Sequence, residues 1–303
     1  MLNFLKILLF LVIVVGIAAY FLSRAPSMFQ SFPQEKILSP TSPSISKSPA
    51  VSSAPTQISS STEISSQIPD YLIPSGLTRA QLSPYFQKVR ISSAFASNYS
   101  TYSSQINLYA YLSNSEKINV TGWRIKTNHG EFIIPQAVNI YDFSGFSFEQ
   151  DIVISGNANI YLYSTRSPIN LNFRLNKCAG YLQNNYSFNP ALTRNCPTPQ
   201  RSEIYYLSGQ CQSYILSLGS CEVPSISFSN SLSGTDEGNA CRQFLSTVNQ
   251  YTCYQKHHWE TDFLSNEWRI WTNWTNFNGL LDPQHDTVRL FDTQGLLVDQ
   301  YIY

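Results

Sequence analysis

Charged side chains are scarce in this chain of 303 residues, and neither sign of charge dominates. Only 13% of the residues are Asp, Glu, Lys or Arg, and 19 acidic residues balance 19 basic ones to give a formal net charge of zero. Proteins that bind nucleic acids or anionic lipids electrostatically carry a clustered excess of Lys and Arg. The sequence therefore predicts no nucleic-acid partner and no polybasic surface for lipid headgroups.

Cysteine is absent from the long N-terminal part, and all six cysteines lie between Cys178 and Cys253. The gap excludes anchoring through a lipidated N-terminal cysteine. An even number of cysteines confined to one stretch is typical of disulfides formed in an oxidising compartment. No Cys-x-x-Cys pair occurs, so the sequence predicts no zinc or other metal site.

Motifs of enzymes and cofactor-binding proteins are missing as well. The chain has no Gly-x-Ser-x-Gly elbow, no glycine-rich phosphate loop and no dinucleotide fingerprint. We therefore predict a non-catalytic protein without a cofactor. Residues 257–262, with Asp282, His285 and Asp286, are the one cluster that could combine imidazole and carboxylate groups. A hydrolase with a site near His258 and His285 is accordingly the enzymatic alternative.

An apolar segment opens the chain. Residues 2–22 are interrupted only by Asn3 and Lys6, and a bilayer core requires roughly 20 apolar residues. The segment is longer than the apolar region of a usual secretory signal and lacks a good cleavage site. We predict a retained transmembrane anchor over residues 1–24, with a cleaved signal peptide as the alternative. Because disulfides belong outside, the N-terminus is predicted to be cytoplasmic and the C-terminal domain extracytoplasmic.

A stretch rich in Ser, Thr and Pro follows the apolar segment. Nineteen of the 28 residues in 39–66 are of these three types, and Lys47 and Glu63 are the only charges among them. Such a composition buries too little apolar area to offset the entropy of ordering the chain. We therefore predict a disordered stalk over residues 25–69 and a folded domain over residues 70–303.

Alternation of apolar and polar residues dominates the folded domain and predicts short β-strands. In residues 105–112, for example, Ile106 and Leu108 share one face while Asn107 and Tyr109 share the other. The remaining predicted strands are 88–95, 119–127, 131–134, 150–154, 159–163, 267–272, 287–291 and 296–302. The sequence between Asp292 and Gly295 predicts a hairpin loop. Eight or nine short strands with turns between them indicate an antiparallel β-sandwich.

Three pieces of the chain resemble the lamin-tail domain, a small immunoglobulin-like sandwich. They are residues 118–125, residues 132–135 and the C-terminal part from Trp268 to Gly295. The Gly122-Trp123 pair and the pattern Asp-x-Val-x-Leu-x-Asp-x-x-Gly, which begins at Asp286, are the most specific features. Residues 73–86 and 174–178 resemble membrane-anchored bacterial members of that family. The resemblance implies a lamin-tail β-sandwich with Trp123 in its core. It covers about residues 89–173 and 266–303, and the chain departs from the usual family pattern between them.

The cysteine-rich insertion, residues 175–265, follows a different pattern. Apolar residues spaced by three or four positions predict one amphipathic helix over residues 202–218 and another over residues 237–249, with a loop at 225–234 between them. In an antiparallel helix pair, the residue numbers of any two facing positions add up to nearly the same value. This sum is nearly the same for Cys211 with Cys253 as for Cys221 with Cys241. The favoured pairing is therefore Cys211–Cys253 with Cys221–Cys241, which leaves Cys178–Cys196. Six cysteines allow fifteen pairings, and the others stay open.

Exposed tryptophans would suit a recognition surface. Trp259, Trp271 and Trp274 are candidates for a sugar-binding or protein-binding patch, with packing against the insertion as the alternative for them. Trp268 and Trp271 are an odd number of positions apart on one predicted strand, so their side chains point to opposite faces and one of them should face the core. An anchor, a stalk and a sandwich together favour a membrane-tethered binding or adhesion module at the cell surface, whose ligand is an unidentified protein or glycan. The alternative function is a structural component of envelope assembly.

Overall fold

The computed structural model describes residues 68–97, 103–142, 147–274 and 279–303. In these residues the protein is mainly β, with short helices and three disulfides. The strands are β1 (Val89–Phe95), β2 (Gln105–Tyr111), β3 (Lys117–Asn119), β4 (Arg124–Thr127), β5 (Gly130–Ile133), β6 (Ala137–Val138), β7 (Glu149–Gln150), β8 (Val153–Ser155), β9 (Asn157–Tyr163), β10 (Phe173–Asn176), β11 (Leu264–Trp271), β12 (Thr287–Phe291) and β13 (Leu297–Ile302).

The largest sheet has seven strands in the order β1-β2-β9-β11-β10-β6-β7. The predicted antiparallel pairing does not hold for two pairs of strands in this sheet, because β9 pairs with β11 in parallel and β6 pairs with β10 in parallel. Parallel neighbours require a crossover connection of a dozen or more residues. The chain from Tyr163 to Leu264 provides it for β9 and β11, since β10 and the whole cysteine-rich segment lie between those strands.

A second sheet is antiparallel, with the order β13-β12-β4-β5, and β3 and β8 form a two-stranded ribbon. The single strand predicted over residues 119–127 is therefore two strands in different sheets. Gly122 separates them with a φ of +81°, and a Cβ at this position would lie 3.3 Å from Thr293 Cγ2. Glycine adopts this backbone conformation without steric cost, so it allows the chain to turn from one sheet to the other.

The main core lies between the sheets and draws side chains from all three of them. Trp123 is 1% exposed within it and stacks on Tyr85 at a ring distance of 5.6 Å, which confirms its predicted core position. Trp268 also packs into this core, whereas Trp271 packs into a separate cluster on the other face of β11. The prediction that the two tryptophans point in opposite directions is therefore confirmed.

The predicted hairpin between β12 and β13 is also confirmed. Asp292 Oδ1 accepts hydrogen bonds from the backbone N–H groups of Gln294 and Leu296, each at 2.9 Å. Gly295 takes the positive-φ position of the loop, with φ +80°. Aspartate at the start of a turn and glycine at a left-handed position are the residues that this geometry favours.

Helices cluster between β10 and β11. They are α1 (Arg201–Ile204), α2 (Gly209–Ser217), α3 (Ile226–Ser231), α4 (Asp236–Leu245) and α5 (Gln250–His257), and 3₁₀ turns occur at Asp70–Leu72, Arg79–Gln81 and Ala179–Asn184. The helix predicted over 202–218 is broken, because Ser208 caps the start of α2 by accepting the N–H of Cys211. The helix predicted over 237–249 ends at Leu245, and the loop predicted at 225–234 contains α3.

All six cysteines form disulfides, but the predicted pairing is wrong. The bonds are Cys178–Cys253, Cys196–Cys221 and Cys211–Cys241. The pairing rule assumed one pair of antiparallel helices, with Cys253 folding back beyond Asn249 against the first of them. Instead Asn249 starts a new helix by accepting the N–H of Thr252 at 2.9 Å. This turn places Cys253 on α5, beside the 3₁₀ turn that follows Cys178, and frees Cys241 on α4 to join Cys211 on α2.

The predicted membrane anchor and nearly all of the predicted stalk lie outside the described residues. Within the ranges that the structure covers, no helix has the length and apolar character needed to cross a bilayer.

Candidate ligand-binding site

An open cleft lies where the helical segment returns to the large sheet. Its volume is about 400 Å³. Strand β11 and the loop before it supply most of its wall, and β10 and the segment after β6 supply the rest. The lining residues are Ile140, Arg174, His258, Glu260, Thr261, Phe263, Leu264 and Asn266. The cleft therefore combines apolar walls with cationic, anionic and amide groups, a mixture typical of ligand sites.

Two tight turns after α5 bring His258 and Glu260 to the cleft and place Trp259 at the surface beside His258. The N–H of Glu260 donates to the carbonyl oxygen of His257 at 3.0 Å, and the N–H of Phe263 donates to the carbonyl oxygen of Glu260 at 3.1 Å. Phe263 is buried beneath the turns and fixes their position. The Trp259 side chain, by contrast, is 82% exposed. A large aromatic side chain in solvent beside a cleft is a feature that binding sites favour.

A series of stacked rings supports Trp259. The ring of Tyr254 on α5 stacks on His258 with a centroid distance of 4.8 Å and an interplanar angle of 5°. His258 contacts Trp259 at 4.1 Å, and Phe263 meets Tyr254 edge-on at 5.7 Å. The exposed indole therefore lies against His258 at an interplanar angle of 42°, and His258 is itself stacked on Tyr254.

His258 has a defined tautomer at the cleft. Its Nδ1 lies 2.8 Å from the carbonyl oxygen of Tyr254. A carbonyl oxygen only accepts hydrogen bonds, so Nδ1 carries the proton and donates it. In the neutral ring, Nε2 is then an acceptor, suited to a ligand hydroxyl or N–H group.

Arg174 of β10 forms part of the cleft wall and is held in place on several sides. Its Nε donates to the carbonyl oxygen of Ser265 at 2.5 Å, and its Nη2 donates to Asn266 Oδ1 at 2.7 Å. Nη1 donates to Asn139 Oδ1 at 3.2 Å, and the guanidinium lies 5.7 Å from the ring of Trp268. Burial lowers the pKa of the Arg174 guanidinium from its ordinary value.

The other charged groups near the cleft form one connected cluster. Lys177 Nζ lies 2.6 Å from Glu260 Oε2 and 2.5 Å from Asp262 Oδ1, while His257 Nδ1 lies 2.7 Å from Glu260 Oε1. The Lys177 and His257 hydrogen bonds hold the pKa of Glu260 below its usual range. The same carboxylates, Asp262 first, raise the pKa of Lys177. One lysine is therefore shared between two carboxylates, and His257 is a further hydrogen-bond partner of Glu260.

The three tryptophans predicted as a patch have separate surroundings. Trp271 is 6% exposed and packs among Tyr163, Phe173 and Phe188. Phe188 belongs to the insertion, so Trp271 packs partly against that segment. Trp274 meets Phe132 edge-on, and its Nε1 donates to the carbonyl oxygen of Gly279 at 2.7 Å. Of the three, only Trp259 presents most of its side chain to solvent.

His285 and Asp286 form hydrogen bonds that join loops near Tyr303 to one another. His285 Nδ1 donates to the carbonyl oxygen of Tyr303 at 2.6 Å. Asp286 is fully buried, and its carboxylate accepts the backbone N–H groups of Asn128 and Asp282, each at 2.8 Å. Among the described residues, no group of three or more His, Cys, Asp or Glu side chains could hold a metal ion.

Two parts of the site were not predicted from the sequence. Arg174 and Asn266 are separated by 92 positions in the sequence, and the pairing of β10 with β11 brings them together. An alternating pattern can place each residue in a strand, but it does not tell which strands become neighbours. His258 and Trp259 were found because they stand in a conspicuous cluster of aromatic and titratable residues.

No protein-family model matches the chain, and comparisons with curated proteins and with solved structures found no significant match.

Proposed function

We propose that the protein is a membrane-tethered, extracytoplasmic binding or adhesion module without catalytic activity. The observation that carries the proposal is Trp259, 82% exposed and supported by His258 at the edge of an open polar cleft. An exposed aromatic ring beside hydrogen-bonding groups is suited to a sugar or a protein side chain. The cleft is the binding site in this proposal.

An oxidising location outside the membrane is supported by the three disulfides. The apolar residues 2–22 would supply the tether, and the Ser/Thr/Pro-rich residues 39–66 would supply the stalk. A stalk of this composition projects a domain away from a membrane surface. The cleft would then face potential ligands outside the cell.

For the fold, we propose an immunoglobulin-like sandwich of the lamin-tail type. The shared core between the two main sheets supports this assignment, as do Trp123 in that core and the hairpin from Asp292 to Gly295. The parallel pairing of β9 with β11 would then be a consequence of the long insertion between them.

Binding screens with the full-length purified chain test this function. We would apply the protein to a glycan array and use it to capture proteins from envelope extracts, in parallel with Trp259→Ala and Tyr205→Ala. Tyr205 is a matched control, because it is 77% exposed but lies at the end of α1, outside the cleft. We expect a ligand that the wild type and Tyr205→Ala bind and that Trp259→Ala loses.

Two results would count against the proposal. One is a ligand whose binding is unaffected by Trp259→Ala, which would place recognition elsewhere. The other is turnover of a substrate in a broad hydrolase screen, with or without a chelator, which would make the protein an enzyme.

A further inference from the structure

Arg174 differs from the other cations around the cleft in its partners. Lys177 is paired with two carboxylates, and His257 contacts one of them. The hydrogen-bond partners of Arg174 are a carbonyl and two side-chain amides, and none of the carboxylates in the described residues forms an ion pair with it. Because all of these partners are neutral, the half-buried guanidinium places a positive charge in the cleft wall that an anionic ligand could compensate.

The guanidinium also retains donors. Arginine carries five N–H groups, and three of the Arg174 nitrogens use one each on Ser265, Asn139 and Asn266. One N–H on each terminal nitrogen is left. A carboxylate accepts two such groups in a bidentate pair, which is the geometry that favours arginine over lysine at carboxylate sites. Since the three existing bonds fix the plane of the guanidinium, little side-chain entropy is lost on binding.

Neutral hydrogen-bonding groups complete the cleft. His258 Nε2 is an acceptor in the neutral ring because Nδ1 donates to Tyr254. Asn266 uses its Oδ1 on Arg174, so its amide N–H groups remain as donors, and Thr261 adds an exposed hydroxyl. Groups of this kind suit the hydroxyls of a sugar. The exposed indole of Trp259, with its electron-rich face, suits the C–H face of a sugar ring.

We propose that the cleft binds an acidic sugar, with the sugar carboxylate on Arg174 and a pyranose ring of the same glycan on Trp259. This inference rests on the binding function proposed above and specifies the class of ligand for that site. It requires one anionic group, which matches the single uncompensated cation. Glu260 does not compete for the N–H groups of Arg174, because its two carboxylate oxygens already contact Lys177 and His257.

A matched pair of ligands tests the carboxylate directly. We would titrate the full-length chain with a uronic-acid oligosaccharide and with its methyl ester by isothermal calorimetry, and include a sulfated sugar as a third probe. The ester keeps the rings and the hydroxyls but removes the charge. We expect the ester to bind at least about tenfold more weakly, the change produced by losing one charged hydrogen-bonding group. Binding of the acid should also weaken with added salt.

Variants assign the effect to residues. Arg174→Gln should remove the preference for the acid over the ester, while Trp259→Ala should weaken both ligands. Arg166→Gln is the control, because Arg166 is exposed and its guanidinium bonds to Asn170, away from the cleft. Thermal melting would verify that Arg174→Gln is folded. If it is not, the acid and ester titrations of the wild type still decide the question.

The outcomes separate this inference from the general function. Equal binding of acid and ester, with loss of both in Trp259→Ala, would overturn the acidic sugar and leave the binding module in place. Preference for the sulfated probe over the uronic acid would overturn the carboxylate assignment. Failure of every sugar would overturn the inference, and capture of a protein ligand that depends on Trp259 would then preserve the broader proposal.

Discussion

Tryptophans in this protein differ in role according to their neighbours. Trp123 and Trp268 lie in the main core, Trp271 lies in a second aromatic cluster, and Trp259 lies in solvent on a stack of rings. Burying an aromatic side chain contributes a large share of the hydrophobic free energy of a core. The same residue type in solvent contributes little to folding and is available for a ligand. Substitution of a buried tryptophan should therefore lower stability, whereas substitution of the exposed one should weaken ligand binding.

The first residue-scale prediction concerns Trp123. Trp123→Ala should lower the free energy of unfolding by about 3 to 5 kcal/mol, because the side chain is 1% exposed and stacks on Tyr85. Chemical denaturation followed by circular dichroism measures the change. Trp259→Ala serves as the control and should stay within about 0.5 kcal/mol of the wild type. A Trp123→Ala protein of full stability that had merely lost a ligand would contradict its core assignment.

A second prediction concerns Asp286, whose carboxylate connects the turn at Asn128 with Asp282. Asp286→Ala leaves two backbone N–H groups without their acceptor, and the expected loss is about 2 to 4 kcal/mol. Asp286→Asn keeps one acceptor oxygen and should fall between the wild type and the alanine variant. Glu149→Ala, on the exposed edge strand β7, should have almost no effect. Equal effects of the Asp286 and Glu149 substitutions would show that Asp286 has no structural role.

Asp299 of β13 leads to a prediction about pH. Burial raises its pKa above the ordinary value of 3.8, although its Oδ2 accepts the N–H of Ile91 at 2.7 Å. The pKa of Asp299 is higher in the folded state than in the unfolded state, so the folded state binds the proton more tightly. Ionisation of Asp299 therefore lowers stability as the pH rises through the folded-state pKa. Asparagine keeps an acceptor for Ile91 but does not ionise. The stability of Asp299→Asn relative to the wild type should therefore increase as the pH rises from the ordinary pKa of an aspartate through the raised one.

Asp151 provides a control of opposite sign for this experiment. Hydrogen bonds from Gln136 and Asn119 hold the pKa of Asp151 below its usual range. Its contribution is therefore present at neutral pH and is lost as the pH falls through the lowered pKa. Asp151→Asn should lose stability relative to the wild type as the pH rises. Urea denaturation over a pH series measures both trends, and parallel trends for the two variants would contradict the assignment.

At the scale of elements, strands with regular alternation were predictable and boundaries set by local capping were less so. The alternation around Ile106 and Leu108 located β2 within one residue of its C-terminal end. The break at Gly122 was missed although the alternation changes phase there, since Ile118 and Val120 are buried before it and Trp123 and Ile125 after it. In the insertion, apolar spacing continues past Leu245, and only the capping hydrogen bond of Asn249 shows where α5 begins. The error in disulfide pairing follows from placing Cys253 opposite the first helix, whereas α5 directs it to Cys178.

The observed pairing leads to the element-scale prediction. Cys211–Cys241 joins α2 to α4 across a sequence separation of 30 residues, so removing it should cost about 3 to 4 kcal/mol in the chain-entropy account of disulfides. In a Cys211→Ala/Cys241→Ala variant, hydrogen exchange should accelerate in α2 and α4 more than in β9 and β11. A non-reducing peptide map checks the connectivity itself. Peptides joining Cys211 to Cys253 would contradict the structure.

At the scale of the whole molecule, the protein has separate cores with different sources of stability. The main core between the sheets contains no cysteine, whereas the cluster around α2 and α4 contains Cys211 and Cys241, and the cluster at the base of the insertion contains the other four cysteines. Small apolar clusters are marginal without covalent links. The cleft lies at the junction of these two kinds of structure, which explains why sequence patterns within one element identified His258 but not Arg174.

This division predicts how the protein responds to reduction. With increasing thiol reductant, hydrogen exchange should become fast in α2, α4 and α5 while β2, β9 and β11 remain protected, because only the helical clusters depend on disulfides. The turn that carries Trp259 follows α5, whose Cys253 is bonded to Cys178. Ligand binding should therefore be lost together with protection of α5, before the sheets unfold. Simultaneous loss of protection in helices and sheets would show one cooperative unit, and binding that survives full reduction would separate the cleft from the disulfides.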